Sequence, residues 1–409
     1  MKHPYMQAAQ DLDLFHMEEH SPGFVWWHPN GQRLLEALKQ LLRQAHQVRG
    51  YEEVKTPNIT SSELFERSGH LAKFGHNMFL IEQREQREQG APDVAGAEAP
   101  VPAARQYAVR PMSCPNHIAV YADKRRSHAE LPLKLFEFGE VVRNEASGAL
   151  QALFRMRGFC QDDSHVFSHQ AGVEAVLADY LSLAREVYAA LGFEEVRFQI
   201  SLRPAERFGD DFLWDAAEDA LRKACAAQGL SWDEEPGGGA FYGPKLEMHL
   251  KDRLGRSWQC GTIQLDYVLP RRFGLEFVNA GNGRDIPVIL HHAVLGSLER
   301  FVGILLEHHG CALPAAIRPV ELALVSVRAE QDEVVREMAA KLLRSGIRVR
   351  TVLGDDNLNN KVRAAQAMHP VHVGVVGARE AESLSVALRG KPGQVLALGA
   401  LRELLRPGC

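Results

Sequence analysis

Apolar residues recur along the chain in two rhythms, one near 3.6 residues and one near 2, and together they divide it into elements. Leu34, Leu35, Leu38, Leu41, Leu42 and Ala45 stand at helical spacing and predict an amphipathic helix over 30–49, with Asn30 as its cap and Gly50 as its stop. Short strands are expected at 54–59 and 78–81. Leu133, Leu135 and Phe138 lead into a longer strand that ends at Arg143, and 154–167 reads as its partner across a turn-like loop at 144–153. Strands at 245–252 and 257–268 flank the turn Asp252-Arg253-Leu254-Gly255 and form a second hairpin. Consecutive hairpins imply an antiparallel sheet, which helices at 170–191, 214–228 and 291–308 would cover. The fold class is α+β.

After Pro314 and Pro319 the rhythm changes. Strand 321–327, helix 329–345, strand 347–353, helix 358–368 and strand 371–376, then a closing strand and helix, predict a smaller α/β domain. The expected division is therefore 1–313 and 318–409. Residues 84–106 are charged and then rich in Ala, Pro and Gly, with almost nothing large to bury, and are expected to form a flexible inserted loop.

Composition narrows the class. A chain of 409 residues suits two or three domains at roughly 100 to 200 residues each. At 45% hydrophobic and 24% charged it is neither disordered nor fibrous. No run of 18 apolar residues occurs, and Lys2, Asp11, Asp13, Glu18 and Glu19 interrupt the N-terminus, so a cytoplasmic protein with no membrane partner is expected. The 6 cysteines form no CxxC pair, which fits reduced thiols. The net charge of -5 conceals an asymmetry, because residues 318–409 hold 14 Lys and Arg against 10 Asp and Glu. A mildly basic tail permits a polyanionic partner without demanding one.

Candidate chemistry is dispersed. Cys114, His165 and His291 are ligand types that Zn²⁺ prefers, and three protein ligands leave coordination positions open, but their spacings match no local metal motif. By themselves they also fit scattered core or surface residues. Arg143 and Glu145 before the first hairpin loop, with Arg155 and Arg157 after it, bring guanidinium groups together, which suits phosphates and equally suits a surface ladder of Arg–Glu pairs. Alternation in Gln161-Asp162-Asp163-Ser164-His165 puts Gln161, Asp163 and His165 on one face, where three inward polar groups need partners. Gly237 to Lys245 offers a glycine-rich turn and a Lys but lacks the GxxxxGK[ST] pattern, so a P-loop is rejected.

In order along the chain, these pieces resemble the threonyl-tRNA synthetases, a family of class II aminoacyl-tRNA synthetases. The resemblance rests on Asp11 to His16, Glu53-Val54-Lys55-Thr56-Pro57 (like motif 1), Arg143-Asn144-Glu145 with Arg155 (motif 2) and Gly296 to Phe301 (motif 3). Arg110 to Pro115, Gln161 to His165, Ala240 to Lys245, Gln259 to Gln264 and Pro287 to Gly296 add to it. It implies that Cys114, His165 and His291 bind one Zn²⁺, whose open positions take the amino and hydroxyl groups of L-threonine. Asp163 would accept the hydroxyl proton, with Met112, Gln161, Tyr242 and Gln264 around the amino acid. ATP, carrying Mg²⁺, would meet Arg143, Glu145, Arg155, Phe159, Gln259 and Arg300, and the catalytic residues would be Arg143, Arg300 and Lys245.

The resemblance further implies threonyl transfer to tRNA and a homodimer across motif 1. Glu380 and Arg389 match positions that read anticodon bases, although Asp355 and Asp356 would repel phosphate nearby. Family members carry domains ahead of this core, one of which hydrolyses seryl-tRNA, and this chain begins almost at the core. No editing in cis is therefore expected, which leaves either a trans-editing protein as a partner or tolerance of the error. Two alternatives stay open: a paralogue that hands threonyl to a carrier protein or small amine, and a non-catalytic binding paralogue.

Overall fold

The computed structural model describes residues 4–83, 106–390 and 393–405. The loop expected at 84–106 lies outside them apart from Gln106. Two compact units emerge, one of Met17–Phe24 and Arg43–Gly303, the other of Met1–His16, Val25–Leu42 and Ile304–Cys409. No helix among the described residues is long and apolar enough to cross a membrane.

The larger unit is built on an eight-stranded sheet. Its strands in chain order are β1 (Glu52–Glu53), β2 (Leu133–Val142), β3 (Gly158–Ser168), β4 (Val196–Ser201), β5 (Trp232–Glu235), β6 (Lys245–Lys251), β7 (Ser257–Asp266) and β8 (Val288–Ala293). Across the sheet they run β5-β4-β6-β7-β8-β3-β2-β1. Pairing is antiparallel from β4 to β2 and parallel only at the two edges, β4 with β5 and β1 with β2. Its helices include α1 (Cys114–Ala122), α2 (Val173–Ala190), α3 (Asp211–Ala227) and the start of α4 (Leu298–His309). The predicted hairpins β2–β3 and β6–β7 form as expected.

Three expectations are corrected. The helix placed at 291–308 is a strand, Val288–Ala293, followed by a turn and then α4. Every residue of β8 is buried, so it reads as a continuous apolar run that periodicity cannot assign, and Gly296 at φ +77° makes the turn that separates it from the helix. The helix expected at 30–49 spans Pro29–Gln47, and Asn30 is not its cap but lies inside, where its Nδ2 donates to Leu12 O. Residues 54–59 form no continuous strand; only Glu52–Glu53 and Ile59–Ser61 are extended in ladders.

In the other unit, β9 (Leu322–Ser326), β10 (Val349–Val352), β11 (His372–Val376), β12 (Ser385–Leu388) and β13 (Val395–Ala397) make a five-stranded sheet in the order β10-β9-β11-β12-β13. The first three are parallel and the last two antiparallel, with α5 (Asp332–Arg344) and α6 (Leu358–Ala367) as crossovers. Leu322, Leu324, Val335, Met338 and Val386 share one core, and Ala323, Val325 and Val362 another, so both faces of β9 are covered. Lys361 is buried, and its Nζ donates to Gly354 O at 2.7 Å.

Close packing of α2 on the large sheet fixes the strand ends that matter below. Tyr180 Oη donates to Ala293 O at 3.0 Å and Tyr188 Oη to Val294 O at 2.6 Å, pinning the exit of β8. Both phenols crowd Gly261 of β7: a Cβ there would meet them at 2.3 Å (Tyr188) and 3.0 Å (Tyr180). Gly261→Ala is therefore expected to destabilise the unit by about 1–3 kcal/mol through overpacking. A denaturant titration should show the lower midpoint, and an unchanged midpoint would contradict this packing.

Candidate active site and metal centre

Antiparallel register assembles the site. Gln264 on β7 faces His291 on β8, and His291 faces His165 on β3, while Lys245 on β6 faces Gln264 from the other side. Directly opposed residues share a face, so residues far apart in sequence form one row. Cys114 completes the cluster from the start of α1, and the ligand atoms of Cys114, His165 and His291 lie within 4.8 Å of one another. All three are buried. The expected trio is therefore brought together, and it is the one group of this kind among the described residues.

The donor set fits a zinc ion. Asp266 Oδ2 lies 2.8 Å from His291 Nε2, and His117 Nδ1 lies 2.8 Å from His165 Nδ1. Those bonds leave His291 Nδ1 and His165 Nε2 for a metal, beside a thiol sulfur. Burial pushes the Cys114 thiol well above its usual range and the His165 imidazole well below, so a bound cation would draw off the thiol proton.

Two adjoining hollows share Arg143 and Gln161. The first, ≈ 130 Å³, holds the metal trio with Met112, Asp163, Tyr242 and Gln264, which is the full set expected around the amino acid. Burial holds the Asp163 carboxyl above the usual range, and Tyr242 Oη donates to Gln264 Oε1. The second, ≈ 240 Å³, is lined by Glu145, Arg155, Phe159 and Arg300, with Phe154 and Met156 adding apolar wall. The Arg143 guanidinium stacks 5.1 Å from the Phe159 ring centroid, and its Nε donates to Pro111 O at 3.1 Å. Arg155 is paired to Glu145 at 2.9 Å, as the Arg–Glu ladder anticipates, so one of these groups must turn before both can meet a ligand.

Lys245 and Gln259 line neither hollow. Both donate to Glu247 Oε1, at 2.6 and 2.7 Å, and Arg300 Nη1 donates to Gln259 O, so these residues form a polar shelf behind Arg300. Glu380 and Arg389 lie in the other unit. There Glu380 Oε2 accepts from Gly377 N at 3.0 Å, and Arg389 N donates to Val373 O at 2.9 Å.

Several residues of the site escaped the sequence reading. His70 is buried with its Nε2 3.9 Å from Cys114 Sγ, and burial, with His291 next, pushes its pKa down to about 3. Asp162 points away from its neighbours Gln161 and Asp163 and accepts from the backbone N–H groups of Val294, Leu295 and Gly296 at 2.8, 3.0 and 2.7 Å. It thereby fixes the turn that aims α4 and Arg300, and burial lifts its pKa to about 7. Arg110 and Glu137 form a buried ion pair next to the metal trio, and His117 Nε2 lies at hydrogen-bond distance from the same carboxylate. The one sequence signal for His117 was its position three residues after Cys114, on the same helical face.

Comparison with known proteins places this architecture. Residues 100–309 match the tRNA synthetase class II core domain (G, H, P, S and T), and residues 320–394 match an anticodon binding domain. The chain is 43% identical over 392 residues to a threonine-tRNA ligase of Burkholderia multivorans, covering 96% of this chain and 59% of that protein. It thus spans about three fifths of the length of the curated relatives it matches. A crystal structure of the RNA binding domain of threonyl-tRNA synthetase from Cryptosporidium parvum superposes with a TM-score of 0.89 at 34% identity, covering 98% of this chain and 97% of that one. A Giardia lamblia prolyl-tRNA synthetase, 17% identical with a TM-score of 0.67, shares the fold. The chain belongs to the class II tRNA synthetases, in the family of threonyl-tRNA synthetases.

Proposed function

We propose that this chain activates L-threonine with ATP and transfers the threonyl group to the 3′ end of tRNA. The observation that carries the reading is the buried Cys114–His165–His291 cluster opening into a hollow that shares Arg143 and Gln161 with an arginine-lined, aromatic neighbour. Two joined compartments, one built for a small polar molecule and one for a phosphate-bearing aromatic, suit adenylation. A zinc ion held by the trio supplies Lewis acidity toward the amino and hydroxyl groups of threonine. Asp163 accepts the hydroxyl proton, and Gln161, Tyr242, Gln264 and Met112 orient the rest of the molecule.

In the second compartment Phe159 and Arg300 enclose adenine, Glu145 reads its edge, and Arg155 and Arg300 hold the distal phosphates with Mg²⁺. Arg143 sits where the compartments join, the right place to hold the α-phosphate. The threonine carboxylate attacks the α-phosphorus, the bond to the bridging oxygen breaks, and pyrophosphate leaves with the electron pair. A terminal ribose hydroxyl of tRNA then attacks the carbonyl carbon and AMP departs. Lys245 and Gln259 act from the shelf on Glu247. Throughout, the protein positions groups and stabilises spreading negative charge. Glu380 and Arg389 are the candidate anticodon contacts, and a homodimer across residues 53–57 is expected.

Selectivity follows from the chemistry of the first compartment. Valine lacks the hydroxyl and leaves Asp163 and the metal unpaired, a mismatch worth about 10⁴–10⁵ in kcat/KM, whereas serine lacks one methyl and is disfavoured by only about 10–200-fold. Amino-acid-dependent ATP–pyrophosphate exchange should therefore rank threonine first, serine second and valine far behind. Chelation of the metal should abolish all three rates. Exchange with no amino acid, or equal rates for threonine and valine, would overturn the proposal. Charging of threonine tRNA and of an anticodon-altered form then tests the acceptor.

The two arginines should behave differently. Arg143→Ala is expected to lower the exchange kcat by about 100-fold or more, because it removes charge stabilisation at the reacting phosphate. Arg155→Ala, at an exposed group already paired to Glu145, should mainly raise the KM for ATP. Steady-state exchange kinetics separate the two cases, and a kcat unaffected by Arg143→Ala would contradict its assigned role.

A further inference from the structure

We propose that His117 is a positioning residue for the metal site: together with Glu137 it fixes the tautomer of His165 so that Nε2 presents its lone pair to the metal. The inference rests on the zinc reading above. It starts from Glu137, whose carboxylate is fully buried in the middle of β2. Arg110 donates to it twice, from Nη1 at 3.0 Å and Nη2 at 3.2 Å, and Thr56 donates from its backbone N at 3.0 Å and its hydroxyl at 2.7 Å. His117 Nε2 lies 3.2 Å from Glu137 Oε2.

A carboxylate only accepts, so His117 Nε2 carries a hydrogen. A metal on His165 Nε2 leaves that ring's hydrogen on Nδ1, so the neighbouring His117 Nδ1 is the acceptor. That atom lies 2.8 Å from His165 Nδ1, the donor. With its hydrogen on Nδ1, His165 turns a bare Nε2 toward Cys114 and His291. The opposite wiring, with the hydrogen on Nε2, would block the metal.

The two ligand rings are thus held differently. His291 meets a carboxylate directly, through Asp266, whose other oxygen accepts from Val268 N and Leu269 N. His165 reaches its carboxylate only through a second imidazole, so its orientation depends on a side chain that touches neither metal nor substrate. α1 carries both parts, Cys114 as ligand and His117 as the support three residues on. Glu137 also ties this relay to Thr56, in the segment 53–57.

His117→Leu removes the acceptor while keeping bulk, and His117→Asn restores an oxygen near the position of Nδ1. Zinc dissociation constants of the purified full chain, measured by chelator competition, should weaken about 10–100-fold in His117→Leu and stay within a few-fold of wild type in His117→Asn. The visible absorption bands of the cobalt-substituted protein should shift only in His117→Leu. A long-range ¹H–¹⁵N imidazole spectrum of zinc-loaded wild type should show the His165 hydrogen on Nδ1, which keeps the test decisive if His117→Leu does not fold. Unchanged affinity and bands in His117→Leu, or a hydrogen on His165 Nε2, would overturn the relay while leaving the zinc reading intact. A wild-type chain that takes up no zinc would overturn both.

Discussion

Three polar side chains with their ligand-type atoms buried within 4.8 Å of one another are a costly arrangement unless every outward-facing polar atom is satisfied, and several elements of the larger unit meet that need. Asp266 at the end of β7, His117 on α1 and Glu137 within β2 supply the partners. Their own demands recruit Arg110, Thr56 and the backbone after β7. Antiparallel register does the rest, because opposed positions on β7, β8 and β3 must lie on one face. A shift of one residue in any of these ladders would move a ligand to the far side of the sheet.

The same economy governs the second compartment. Asp162 sits between two residues that face the site, yet it points the other way and gathers three consecutive backbone N–H groups. The turn at Gly296 then delivers α4 and Arg300 to the wall opposite Phe159 and Arg143. Burial depresses the pKa of Arg143, whose nearby compensating charges are Glu145 and Asp163. A guanidinium in so little water interacts strongly with phosphate, since few solvent dipoles screen it.

The sequence made some of this legible. Period-2 alternation in 161–165 correctly put Gln161, Asp163 and His165 on one face, and both hairpins were visible from their turns. It did not reveal β8, because a strand buried on both faces has no alternation to read, and its apolar run merged with the helix beyond Gly296. Nor did it reveal the supports of the metal trio. Glu137 is one of two acids in β2 and His70 a lone imidazole in a helix; each becomes meaningful only once folding brings a partner from another element. The order of the family motifs carried information that spacing between the ligands lacked.

The central claim is that a metal held by one sulfur and two imidazoles senses the hydroxyl of the amino acid. X-ray absorption at the zinc edge of the loaded protein tests it most directly. One sulfur and two imidazole nitrogens are expected around the metal, with light-atom coordination that changes on adding threonine and not on adding valine. A zinc environment without sulfur, or one indifferent to threonine, would contradict it.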